Sequence, residues 1–206
     1  MSDYFETETK IIALALCIVI FPILWIASCT NEPNVVKAEQ YDNARRYECD
    51  YHTLSFNTCI SYEKDGETYY IEGNIVTFLT DPLKLTNSNR ETIGYADDSY
   101  HIIGQDDHAI IVNDQFEVDL CGNFEFAGNS YYLYNEDGEK VGSASFNMWC
   151  TYGYITDENT TIIAEYHKDP VFNDYTVTIY DNDICSDEAI LMIVASYVSD
   201  YHADND

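Results

Sequence analysis

The segment Ser186-Asp187-Glu188-Ala189-Ile190-Leu191-Met192-Ile193-Val194-Ala195-Ser196-Tyr197-Val198 sets the architecture of this chain. Ser186 reads as an N-cap, and two acids follow it where the positive end of a helix dipole favours them. The apolar residues after them cover every side of a helix rather than one stripe, and a helix that is apolar all round is buried all round. About ten apolar residues are too few to cross a membrane. β-branched Ile190, Ile193 and Val194 would also suit a buried central strand, but the cap and the length favour a helix.

The sequence before this segment has a different texture. From Tyr47 onward it breaks into short β-type segments separated by turn residues. Phe116, Val118 and Leu120 alternate with Gln115, Glu117 and Asp119, and Tyr175, Val177 and Ile179 alternate with Thr176, Thr178 and Tyr180. Thr68 to Ile71 and Ile75 to Leu79 are β-branched and aromatic. Period two with polar partners predicts half-buried antiparallel strands. Lys64-Asp65-Gly66, Asn135-Glu136-Asp137-Gly138 and Asp157-Glu158-Asn159 predict turns. There is no exact internal repeat, though the segments are alike in length. A run of short strands ending in one wholly apolar helix predicts a mainly β fold: a closed antiparallel barrel with the C-terminal helix buried through its middle.

Upstream, the chain predicts four regions: an acidic tail over 1–10, a membrane segment over 11–28, a polar linker over 29–46 and the barrel over 47–206. Residues 11–28 carry no charge. As a helix they span ~27 Å, close to the hydrocarbon thickness of a bilayer. Trp25 suits the interface, and Pro22 is tolerated in a membrane helix. Three readings follow: a retained single span, a lipoprotein signal, or a cleaved signal peptide ending at Ser28. Ile26-Ala27-Ser28-Cys29 resembles a lipobox, which would make Cys29 the lipidated residue. The apolar run is longer than a signal core, and Asp3, Glu6 and Glu8 outweigh Lys10 before it, so both features favour a retained anchor. Lys37, Arg45 and Arg46 after the span favour an inside C-terminal domain, whereas the lipoprotein reading places that domain outside.

The chain has 206 residues, 37 Asp and Glu against 9 Lys and Arg, and a formal charge of -28. Nucleic-acid binders neutralise phosphates with Lys and Arg, so this charge excludes that class. It also opposes docking on anionic lipid. All the acids except Asp3, Glu6 and Glu8 follow the membrane segment. At 46% hydrophobic and 15% aromatic, the chain can fill a core and is not a disordered acidic tail.

A family resemblance rests on the C-terminal half. The stretch from Tyr131, YYLYNEDGEKVGSASFNMWCTYGYITDENTTIIAEY, and the stretch from Tyr175, YTVTIYDNDICSDEAILMIVASYVSDYHAD, resemble the end of a tubby C-terminal-like domain of the LURP-one-related kind. The matching parts are the strand Tyr132 to Tyr134, the turn Asn135 to Gly138, and the strand Val141 to Phe146. They continue with the strand Tyr175 to Tyr180, the acidic turn Asp181 to Asp183 and the terminal helix Ala189 to Val198. The approach VDLCGNFEFAGNSYYLY from Val118 fits as well. The resemblance covers roughly residues 50 to 202 and is strongest after Phe116. It implies a closed antiparallel barrel around a central C-terminal helix. Relatives include phosphoinositide-binding tubby proteins and phospholipid scramblases, whose headgroup site needs clustered Lys and Arg. Here Lys64, Lys84, Arg90, Lys140 and Lys168 are isolated among acids, so lipid headgroup binding is not carried over.

No motif signals catalysis. Asp181, Asp183, Asp187 and Glu188 lack the glycine of a calcium loop and read as a solvated turn plus helix-start acids. Gln105-Asp106-Asp107-His108 reads as a polar turn before a strand over Ala109 to Val112. His52, His101, His108, His167 and His202 form no zinc pattern. Cys150 or Cys121 could pair with a distant His, but Cys49, Cys59, Cys121, Cys150 and Cys185 are odd in number, irregularly spaced, and read as free thiols. Asn159-Thr160-Thr161 fits a glycosylation sequon, which matters only in a eukaryotic secretory setting. The sequence therefore predicts no catalytic, metal or cofactor residues. It predicts a membrane-anchored, non-catalytic barrel with a binding or scaffolding role. A basic protein or divalent cations are the expected partners. The alternatives are an exported lipoprotein held through Cys29 that binds a ligand at the cell surface, and a hydrolase using paired carboxylates.

Overall fold

A computed structural model describes residues 43–54, 57–74, 83–99, 107–125, 128–147, 149–169 and 174–205. The expected membrane segment over 11–28, Cys29, most of the linker and the expected strand over Ile75 to Leu79 lie outside the described residues. Among the described residues, no helix is long and apolar enough to cross a membrane.

The fold is a closed barrel of twelve antiparallel strands and one C-terminal helix. The strands are β1 (Arg45–Leu54), β2 (Asn57–Lys64), β3 (Glu67–Asn74), β4 (Leu83–Thr86), β5 (Thr92–Ser99) and β6 (Asp107–Val112). They continue as β7 (Gln115–Glu125), β8 (Gly128–Tyr134), β9 (Lys140–Asn147), β10 (Tyr152–Asp157), β11 (Ile162–Lys168) and β12 (Tyr175–Ile179). The helix α1 runs over Asp187–Asn205. Every strand pairs with its sequence neighbours, and β1 closes the circle on β12. Closure gives each of these strands a neighbour on both sides, which limits the exposed edge that is the usual hazard of an all-β chain.

Two boundaries differ from the sequence reading. β1 begins at Arg45, inside the segment read as linker, because Arg45 and Arg46 pair with Ile179 and Thr178 of β12. β6 begins at Asp107, so Asp107 and His108 belong to a strand rather than to a turn; they pair with Cys121 and Leu120 of β7. Neither pairing is visible locally, since the partner strand supplies it.

The core lies between the strand faces and the helix. On β9, Gly142, Ala144 and Phe146 point inward while Ser143 and Ser145 point outward. Ala189 to Val198 are all buried, Ser196 included, so the helix that is apolar on every side is enclosed on every side. Small Ala144 and Ala164 line the wall, and larger rings fill the space toward the C-terminal part of α1. There Tyr197 stacks on Phe146, and its hydroxyl donates to the Asn147 carbonyl at 2.8 Å.

Four hairpin turns share one hydrogen-bond design: the β9–β10 turn 147–151, where the Thr151 N–H donates to Asn147 Oδ1 and Cys150 is left-handed at φ 52°, and three others in which a bulge follows. In the turns 87–91, 135–139 and 157–161, Asn87, Asn135 and Asp157 each accept a side-chain hydrogen bond from the backbone N–H four residues on. The fourth residue of each turn has a left-handed backbone: Arg90 at φ 63°, Gly138 at 76° and Thr160 at 64°. A β-bulge follows in each strand pair, shifting register after Leu85, Leu133 and Ile155. This is an internal repeat that the sequence hides, because little beyond the Asx residue and a small residue after the bulge persists.

Candidate functional site at the acidic rim

Since consecutive strands pair and alternate in direction, alternate connections lie at the same end of the barrel. The turns β2–β3, β4–β5, β6–β7, β8–β9 and β10–β11 therefore share one rim with the β12–α1 connection. Each brings an exposed carboxylate: Asp65, Glu91, Asp114, Asp137, Glu158 and Asp183 in turn. Turn chemistry favours short polar residues at these positions, and here that requirement is met with acids.

The basic residues at this end are engaged. Arg45 forks onto Asp187, with Nε to Oδ2 at 2.7 Å and Nη2 to Oδ1 at 2.9 Å, and its Nη1 reaches Asp181 at 2.9 Å. Tyr47 donates its hydroxyl to the same Asp187 carboxylate at 2.6 Å. Lys64 pairs with Glu188 at 2.5 Å. Arg90 pairs with Glu72 and lies over the Tyr70 ring. Lys140 lies over the Tyr132 ring. The rim thus offers carboxylates outward while most of its cations are turned onto neighbours.

The start of α1 is held from several sides. Ser186 Oγ accepts from the Ala189 N–H at 3.3 Å, and the Ser186 N–H donates to Glu117 on β7 at 2.9 Å. Asn182 folds the approach by accepting from the Ile184 and Cys185 N–H groups. Burial pushes the Asp187 carboxyl up, but hydrogen bonds from Arg45 and Tyr47 outweigh it, and its pKa lies below the ordinary aspartate value. Burial, then the bond to Asp187, raises the Tyr47 phenol.

The acids singled out in the sequence divide into two pairs. Asp181 and Asp183 are exposed, as a solvated turn would be. Asp187 and Glu188 stand in the first turn of α1, as read, and are in addition half-buried and ion-paired. Their partners Arg45, Tyr47 and Lys64 lie 124 to 142 residues away, and no local signal marks the pairing.

Among the described residues, no group of three or more His, Cys, Asp or Glu is arranged to hold a metal. Cys49, Cys59, Cys150 and Cys185 carry free thiols. Cys150 is buried against the Tyr166 hydroxyl, and burial raises its thiol pKa, the reverse of an activated nucleophile. Cys121 sits half-buried on β7. His167 is exposed on β11, with its ring beside Tyr152. Asn159 sits exposed in the β10–β11 turn.

No family model matches this chain, and no curated protein matches it. It is similar in structure to a protein from Arabidopsis thaliana solved by X-ray crystallography, at 14% sequence identity and a TM-score of 0.48. That likeness covers 78% of this chain and 92% of the other.

Proposed function

We propose that this protein is a membrane-tethered, non-catalytic binding or scaffolding domain of tubby C-terminal-like, LURP-one-related build, and that its acidic rim docks a basic segment of a partner protein. The observation that carries the reading is the placement of an exposed carboxylate on every hairpin turn of one rim. The barrel interior is occupied by α1, so a partner meets the outside of the barrel. A concentrated field of one sign speeds encounter with the opposite charge and rejects like charge. The family reading is supported by twelve antiparallel strands closed around a C-terminal helix, the arrangement the resemblance implies. The tether is the apolar run over 11–28.

Two experiments test this. The full chain in detergent is titrated with a Lys/Arg-rich peptide, and separately with Ca²⁺ and Mg²⁺. The reading expects saturable peptide binding that weakens as salt rises. Saturable binding of the cations alone would contradict the choice of partner. The intact mass of the protein extracted from its own membranes tests the tether. A full-length mass supports a retained span, and a mass beginning at an acylated Cys29 favours the lipoprotein alternative.

A further inference from the structure

The ladder of β1 is divided. Arg45 to Cys49 pair with β12, while Cys49 to Leu54 pair with β2. Arg45 to Glu48, the rim half of β1, are therefore registered on one side only, through four residue pairs, and Cys49 is paired on both sides. It is also the place where the barrel is closed by residues far apart in sequence. Every other adjacent pair of strands is consecutive in the chain, so its members stay tethered when their ladder opens. Once β1 and β12 part, only the rest of the chain holds them near each other, and re-closure carries a larger loop entropy.

A side-chain clamp sits on this same half-strand. Arg45, its first residue, bonds Asp181 and Asp187, and Tyr47 bonds Asp187. The Arg45 side chain is 40% exposed and that of Asp187 12%, so solvent screens the pair from the guanidinium side while the carboxylate is largely withdrawn from it. The forked geometry places both carboxylate oxygens on the guanidinium, the stronger form of such a contact. Tyr47 also packs edge-on against Tyr62 of β2, which couples the clamp to the core beneath it.

We infer that the rim half of β1 is a charge-locked strap: the Arg45–Asp187 pair holds the β1–β12 seam shut, and breaking it opens the barrel there while the hairpin-connected strands stay paired. Opening bares the edge of β12 and frees the first turn of α1. An edge so bared is a surface for strand pairing. The inference stands on the closure geometry and does not depend on the binding reading above.

Hydrogen exchange of the full chain tests it. The wild type is compared with Arg45→Met, Arg45→Lys and Tyr47→Phe, the last removing only a hydroxyl, and with Arg90→Met as a control ion pair elsewhere. In Arg45→Met, those amides of 45–49 and 175–179 that bond across the β1–β12 seam should exchange at least about tenfold faster, with the amides of β12 that face β11, and β8 and β9, unchanged. Arg45→Lys and Tyr47→Phe should give smaller changes at the same amides, and Arg90→Met none there. If Arg45→Met does not fold, the two milder variants carry the test. A uniform acceleration around the barrel would overturn the inference. So would earlier opening of the β3–β4 pairs at 70–72 and 84–86, or an unchanged seam.

Discussion

Thr160 stands in the β10–β11 turn where Gly138 stands in the β8–β9 turn: both are the fourth residue of an Asx-anchored hairpin, and both are left-handed. The two turns share their hydrogen bonds and differ in the residue asked to adopt positive φ. Glycine does this freely, whereas a β-branched residue there is a strained exception. Thr160→Gly should therefore stabilise the protein by about 0.5–1 kcal/mol, and Gly138→Thr should destabilise it by at least about 1 kcal/mol. A Cβ at Gly138 meets nothing within 4 Å, so the second effect is one of backbone conformation rather than crowding. Midpoints of denaturant unfolding measure both.

Gly153 is needed for a different reason. A Cβ there would run into the Phe146 ring, which is stacked on Tyr197 of the central helix with centroids 3.9 Å apart. Gly153→Ala should push Phe146 off that stack and destabilise the fold by about 1–3 kcal/mol. The near-ultraviolet circular dichroism should change with it. Unchanged stability would mean that the ring gives way at no cost.

Acid should weaken the clamp on α1. Asp187 has a folded pKa below its ordinary value of 3.8. A depressed carboxyl contributes stability that is fully present above the unfolded pKa and lost as pH falls through the folded one. Stability measured from pH 5 downward should fall more steeply for the wild type than for Asp187→Asn, which lacks the titrating group. Parallel curves would show that Asp187 carries none of the dependence.

The helix and the barrel were legible because their signals are local. An apolar run on all faces behind a capping serine can only be enclosed, and alternation at residues 115–120 and 175–180 marks strands with one wet face. What escaped was every pairing set by a distant partner. Arg45 reads as a topology-biasing charge in a linker, and only β12 and Asp187 reveal it as the first residue of a strand. Asp107 and His108 read as turn residues until β7 pairs with them. The repeated hairpin stayed hidden because Arg90, Gly138 and Thr160 share a backbone conformation and no side-chain chemistry. Likewise, the acids are spread along the whole chain, and only the up-and-down order of the strands gathers those of the turns at one end.

That gathering is the centre of the functional reading, and charge position separates it from charge alone. Asp137→Asn with Glu139→Gln removes two exposed carboxylates from the rim, while Asp169→Asn with Asp174→Asn removes two from the β11–β12 connection at the opposite end. The two double variants have the same net charge. The decisive measurement is the affinity of each full-length variant for one Lys/Arg-rich peptide at a fixed salt concentration. The account predicts that the rim variant binds several-fold more weakly and that the opposite-end variant matches the wild type. Equal loss in both would mean that the peptide senses only a polyanion, and the rim would not be a docking site.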